Sequence, residues 1–341
     1  MSEETYKISN ADEGLERLSM TARYTIEGGS AGKARLDVLS SVMQQATTAL
    51  LLRAGVVPGD RCVDVGCGGA NVSRQLARLV GPRGTVLGVD LDPEVLALAR
   101  HEVETEELNN VRFHVGDATS IPGGPYDLAY ARFLLSHVGD PTAVLSAMVA
   151  SLAPGGLVIV EDTDFSGSFC YPDSAAYRRF GELARETVRR RGGNADIGPA
   201  LPSLLRAAGI EEVAVSVAQP TGLRGDVKGL MLLTLERIWQ SVLEEGVASP
   251  AELERIDADL RDFCDDPTTV MSVPRVIQGW GRKRTSSTDG LAMSGGSSFR
   301  VPSPTLRRLP AEEQSEEPPR PDAGPPSESA PTIEQQSSDL V

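Results

Sequence analysis

The chain has little of what would mark a metal site or a disulfide framework. Its 341 residues include four cysteines, Cys62, Cys67, Cys170 and Cys264, and three histidines. The cysteines are scattered without zinc-ligand spacing, and three histidines are too few for a cluster, so no metal is expected. Cys62 and Cys67 flank a glycine-rich stretch where a small side chain fits, which is a structural use. No apolar run reaches about 18 residues, so no membrane span is expected. The polar, acidic start MSEETYKISNADEG has no apolar signal core, and a cytoplasmic location is the default. Positive charge is also in short supply, with 33 Lys and Arg against 48 Asp and Glu, a net −15. Such a chain repels phosphate backbones at long range, so nucleic acid is a poor default partner. The basic run Arg189, Arg190, Arg191 reads as a solvated helix end.

Composition changes near Thr285. The remaining stretch is rich in Ser, Pro, Glu and Gly and carries nine acids against four bases. It cannot bury enough apolar surface to offset its ordering entropy, so a disordered tail is expected over 285–341 and a folded unit over 1–284.

The first 284 residues alternate between helical and strand-like patterns. Asp37 to Ala54 has apolar residues at helical spacing and ends before Gly55. Strands are expected at RCVDVG, GTVLGVDLD, VRFHVGDAT, YDLAYARFLL and GGLVIVEDTD. Helices are expected at 71–80, 93–106 and 140–153 between them, with Pro93 at the favoured first turn. Strands separated by single helices imply parallel pairing through right-handed crossovers, a doubly wound α/β sheet. After the fifth strand, helical patterns at 173–191, 199–208 and 224–264 are interrupted by EEVAVSVAQP and followed by a last strand, VPRVIQGWGRK. The inserted helices read as a lid on the side of the sheet where open α/β folds bind ligands.

The chemistry centres on VDVGCGGAN, Val63 to Asn71. Gly66 and Gly68 permit a tight turn whose N–H groups approach a ligand closely. The second strand ends at Asp90, with Leu91 beside it, where a carboxylate can accept both hydroxyls of a ribose. Glycine loops also serve dinucleotides, but their third glycine is Asn71 here, and Asp64 would sit poorly beside a pyrophosphate. An acid there suits an ammonium, which favours a nucleoside carrying an amino acid.

These residues resemble motif I of the class I S-adenosylmethionine-dependent methyltransferases, [DE]-x-G-x-G-x-G, at Asp64, Gly66 and Gly68, departing at Ala70. GVDLDP resembles the ribose motif, and HVGDATSIP a third motif that implies Asp117 and the Ala118 backbone at the adenine. The resemblance continues through YDLAYARFLLSHVGDP and LAPGGLVIVEDTD, and covers about residues 36–282. It implies a Rossmann-like, doubly wound seven-stranded sheet whose last strand is antiparallel, with S-adenosyl-L-methionine as cofactor. Within the superfamily the chain is similar to small-molecule enzymes of the ubiquinone/menaquinone-biosynthesis type, which act in cofactor or secondary metabolism. YTIEGGSAGKARL, with Tyr24 and Arg35, resembles a segment covering the methionine end, and Arg35 or Arg132 could pair with the carboxylate there.

Methyl transfer mainly requires alignment of a nucleophile, with removal of a proton where needed. His137, just past the fourth strand, and Glu161 are the candidate catalytic groups. Asp162, Asp164 and Tyr24 are candidates for substrate contact, and Phe165, Phe169, Tyr171, Tyr177 and Phe180 could wall an apolar pocket. There is no N-P-P-Y-like tetrapeptide, which lowers the odds of nucleic-acid or amide methylation. The expected partner is a small-molecule methyl acceptor, with the protein a monomer or homodimer. A protein or RNA methyltransferase and a non-catalytic regulator with the same fold are the alternatives.

Overall fold

The computed structural model describes residues 29–285. Tyr24 and all but the first residue of the expected tail lie outside the described residues. The first helix among the described residues, α1 (Gly29–Ala54), starts well before the expected Asp37. The GSAG run at its start has low helix propensity, but the helix packs across the glycine loop, so tertiary contact overrides propensity there. Lys33 reaches from α1 to Asp37 and to Glu102 of α3 (Pro93–Thr105). Arg74 of α2 (Asn71–Val80) pairs with Glu102 and Glu106, extending this ion-pair network.

The seven strands of the main sheet follow the alternation expected from sequence: β1 (Arg61–Val65), β2 (Thr85–Asp90), β3 (Val111–Val115), β4 (Tyr126–Arg132), β5 (Leu152–Asp164), β7 (Ala214–Ala218) and β10 (Arg275–Arg282). Their order is β3-β2-β1-β4-β5-β10-β7. The pairs β1–β2, β1–β4, β2–β3 and β4–β5 are parallel, whereas β10 runs antiparallel to both β5 and β7. The sheet is therefore the doubly wound, Rossmann-like arrangement with its last strand reversed. β1 is buried along Cys62–Val65, as expected of a strand covered on both faces. On α2, Val72, Leu76 and Val80 fall on one buried face at helical spacing, and truncating Leu76 to alanine there costs about 2–5 kcal/mol.

The connection β4–β1 reverses direction in the strand order, so the crevice at the carboxyl ends of these strands is the topological switch point. Two helices, α4 (Pro141–Ala150) and α6 (Leu201–Ala207), cover the sheet near β4, β5 and β10. Above the crevice stand α5 (Ala175–Arg190), α7 (Asp226–Glu244) and α8 (Pro250–Asp265), which share a core with α1. A small sheet, absent from the sequence expectation, stitches this cap together: β6 (Cys170–Tyr171), β9 (Val270–Ser272) and β8 (Thr221–Gly222). No helix among the described residues is long and apolar enough to cross a membrane.

Candidate functional site

A cavity of about 800 Å³ lies between the carboxyl ends of the strands and the helical cap. Its floor is the β1–α2 loop. Gly66 has φ +70° and Gly68 φ +49°, and a Cβ on Gly66 would stand 2.9 Å from Leu134 Cδ1. Both the conformation and the space demand glycine. Gly66 N–H donates to Val89 O (2.8 Å), and Gly68 N–H to Asp90 Oδ2 (2.8 Å). Ala70, where the motif has its last glycine, also takes a left-handed conformation, φ +60°, at a cost of about 1–2 kcal/mol.

Asp64 is buried in the cavity wall and receives a hydrogen bond from Ser73 Oγ at 2.6 Å. Burial pushes its carboxyl up to about 6, opposed by Ser73 and by the charge of Arg132. A bound cation facing it would restore its ionised form. Asp90 is raised by burial and held back by N–H bonds from Asp92 and Gly68. Each of its oxygens already accepts one N–H, and each keeps a lone-pair direction for a ribose hydroxyl. Leu91 and Asp117 also line the cavity, and Asp117 Oδ1 is fixed by Thr119 N–H at 2.7 Å. Ala118 does not reach the wall and packs on the core beneath the sheet.

The other half of the cavity is apolar, walled by Phe133, Phe165, Phe180, Met231, Ile238 and Val276, with His137 among them. Phe133 has φ +55°, a strained conformation for a bulky residue, and its N–H donates to Glu161 O at 2.8 Å. The turn after it carries His137, which burial, aided by the charge of Arg35, holds down to a pKa of about 4. The imidazole is therefore neutral near pH 7. Gly193 lets a following loop close on this turn, since a Cβ there would lie 2.3 Å from Ser136 O.

Residues 57–189 match a family model described as a methyltransferase domain. Over that stretch the chain is similar to methyltransferase domains. It is 31% identical over 181 residues to an uncharacterized 37.1 kDa protein in a transposon of Streptomyces fradiae, covering 49% of this chain and 51% of that one. It is 39% identical over 108 residues to a ubiquinone biosynthesis O-methyltransferase of Cronobacter sakazakii, covering 31% of this chain and 43% of that one. A demethylmenaquinone methyltransferase of a Geobacillus species is 34% identical over 113 residues, covering 33% and 48%. The chain thus spans about half the length of the curated relatives it matches. The methyltransferase cofactor is S-adenosylmethionine, and the glycine cradle, the buried Asp64 and the two-sided Asp90 fit its amino-acid and ribose groups.

The three acids at the end of β5 are not gathered in the cavity. All three are fully buried, and none lines the wall. Glu161 accepts from Thr47 Oγ1 (2.9 Å), Gln278 Nε2 (2.7 Å) and Tyr130 OH, tying α1, β4 and β10 together. Asp162 accepts Ser136 N–H (3.1 Å) and Thr163 N–H (2.8 Å), and burial raises it to about 6. It caps the turn that holds His137. Asp164 is engaged by Arg275 Nε (2.9 Å) and Ser166. The placements expected of Glu161 as a reacting group and of Asp162 and Asp164 as substrate contacts are therefore replaced by internal bracing. Phe165 and Phe180 reach the cavity, while Phe169 and Tyr171 are exposed and Tyr177 bonds Ser272 O at 2.7 Å. Arg191 is no solvated helix end, because its side chain is buried against Glu244 at the end of α7 and Glu245 just after it.

Residues that the sequence did not point to include Leu39 and Met43 of α1, Thr163, and Leu230 and Thr234 of α7, all in the wall. They belong to apolar helical faces or a strand end, and nothing local separates a cavity-facing position from a core-facing one. Among the described residues no cluster of metal-ligating side chains occurs.

Proposed function

We propose that this protein transfers a methyl group from S-adenosylmethionine to a small, largely apolar acceptor seated under the helical cap. The observation that carries this reading is the continuous cavity. Its floor has the polar groups of a nucleoside site, and its roof has the aromatic and aliphatic wall of a second, apolar compartment. About 800 Å³ stands high in the ~300–1,000 Å³ range of ligand pockets.

When bound, the cofactor supplies a methyl carbon activated by a positively charged sulfur. Asp90 would accept the ribose hydroxyls, Asp117 would face the base, Asp64 would meet the ammonium, and Arg132 the carboxylate. Phe133, Phe180, Met231 and Ile238 would exclude water and align the acceptor, which is where most of the acceleration in such a displacement arises. His137, neutral and at the junction of the two halves, would take a proton from the acceptor. The ubiquinone- and menaquinone-type relatives support a small-molecule acceptor.

Calorimetric titration with S-adenosylmethionine and with its demethylated product tests this reading. Binding in the range of about 1 μM to 1 mM is expected, weakened about 10- to 100-fold by Asp90→Ala through loss of charge-assisted hydrogen bonds. Absence of binding by both ligands would sink the proposal.

A further inference from the structure

The cap carries a second apolar surface, on its outside. In the small sheet Cys170 and Gly222 flank Met271, which is wholly buried, so this row packs on the core of the cap. Side chains alternate along a strand, which turns the two neighbouring rows outward. One row pairs Tyr171 with Val270 and reaches Leu223, one residue beyond β8. The other sets Phe169 beside Ser272, through Phe169 N–H to Ser272 Oγ (3.0 Å) and Ser272 N–H to Phe169 O (2.9 Å), with Thr221 on the far side. Phe169, Tyr171 and Leu223 are 46%, 72% and 54% exposed. Neighbours on one face of a sheet stand about 5 Å apart, so these side chains form one patch.

Charges of opposite sign flank the patch. Asp173 follows β6 and Arg224 follows β8, and both are exposed. β6 and β8 each run antiparallel to β9, hence parallel to one another, which puts both charges at the same end of the sheet. Asp173 also holds Arg178 of α5. Two other acids nearby are turned onto their own chain, Asp226 to Ser41 Oγ of α1 (3.0 Å) and Asp266 to Thr268 N–H (2.8 Å). A second copy laid face to face, after half a turn about an axis along the strands, exchanges the two flanks. Val270 then lies on the axis, Tyr171 falls on Leu223 of the second copy, and Arg224 falls on its Asp173, each contact made twice. An axis across the strands would stack each strand on itself and leave the charges unmatched. The net charge of −15 sets the chain against an anionic bilayer, whereas the matched flanks suit a second copy.

We propose that this face is the interface of a two-fold symmetric homodimer, with Tyr171, Val270 and Leu223 at its apolar centre and Arg224–Asp173 pairs at its rim. Such a dimer braces the roof of the cavity. Phe165, on the chain leading into β6, and Val273 and Pro274, just after β9, line the wall on the inner side of the same sheet.

Sedimentation equilibrium of the full chain from about 1 to 100 μM tests this, and a dimer with a Kd in that range is expected. Tyr171→Ser combined with Leu223→Ser should raise Kd at least about tenfold, because symmetry makes each loss count twice. Arg224→Glu or Asp173→Lys alone should raise it about threefold, and the two together should return it to within about twofold of wild type. All four positions are exposed, so thermal melts of the variants should stay close to wild type. A monomer throughout the range, a dimer indifferent to the Tyr171 and Leu223 changes, or a charge exchange that fails to restore pairing overturns the inference. So does a monomer that pellets with phosphatidylcholine vesicles and loses this in the serine double variant, since the face would then meet a membrane.

Discussion

Replacing Glu161 with alanine removes the acceptor shared by three buried donors from three elements. Tyr130, wholly buried, has no other hydrogen-bond partner for its hydroxyl among the described contacts, and desolvation already drives its pKa well upward, so it cannot relieve the loss by ionising. Thr47 keeps the bond it accepts from Arg132 but loses the acceptor for its own hydrogen. Gln278 retains Ser216 and Arg53 on its oxygen, so its loss is partial. Two orphaned hydroxyls at about 1–3 kcal/mol each, softened by whatever water enters the space left, give a destabilisation of about 3 kcal/mol. For a domain of this size that lowers Tm by roughly 6–12 °C. Glu161→Gln keeps the shape and one acceptor oxygen, and should cost about 1 kcal/mol. Thermal melts of both variants, paired with cofactor titration and turnover at a temperature where each is folded, measure the effect. The expected outcome is a large stability loss for alanine, a small one for glutamine, and cofactor affinity within about threefold of wild type. The reasoning is refuted if Glu161→Ala melts with the wild type while turnover collapses, because Glu161 would then be a reacting group and not a brace.

His137→Asn should reduce kcat by about 100-fold with little change in KM, as expected for loss of a proton acceptor. It should also flatten the acid limb of stability. The imidazole titrates at about 4 in the folded state and near 6.5 when unfolded, so between those values the unfolded chain binds a proton that the native state refuses. Stability from this group is complete above pH 6.5 and falls by about 3 kcal/mol on descending to pH 4. Asp64 and Asp162, both raised to about 6, act in the opposite sense, since the native state gains protons first, and comparison of variant with wild type isolates His137. Cofactor affinity should weaken up to about tenfold per pH unit below 6, as Asp64 protonates and ceases to face the ammonium. Calorimetry from pH 5 to 8 reads this, and Asp64→Asn, still bonded to Ser73 and lying near Arg132 and Asp90, should show a much flatter profile.

The sheet and the nucleoside floor were legible because their causes are local. β1 has apolar Cys62, Val63 and Val65 around the single acid Asp64, Asp92 accepts N–H groups at the start of α3 just before Pro93, and the glycines occupy conformations that few other residues tolerate. The roles of Glu161, Asp162 and Asp164 were not legible, because their partners come from far along the chain. Thr47 and Gln278 lie 114 and 117 residues from Glu161, and no local pattern distinguishes an acid at a pocket from one consumed inside. The cap sheet escaped notice for a different reason: strands of two or three residues are too short to show a period. The departure of α1 from its expected start has the same origin as the acids, since contact with the loop and α3 rather than propensity sets where it begins.

The position of α1 has a further consequence, for the order and pace of events. Lys33 lies across Gly69, close enough that a Cβ there would stand 2.8 Å from Lys33 Cδ, and the same ammonium is fastened to Glu102 of α3. Leu36, Leu39 and Met43 of the same helix look into the cavity. Lifting this helix from the loop would break the Lys33–Glu102 pair as well as core packing. Residence time of the spent cofactor should then shorten as ionic strength rises, while the hydrophobic compartment behind it is indifferent to salt.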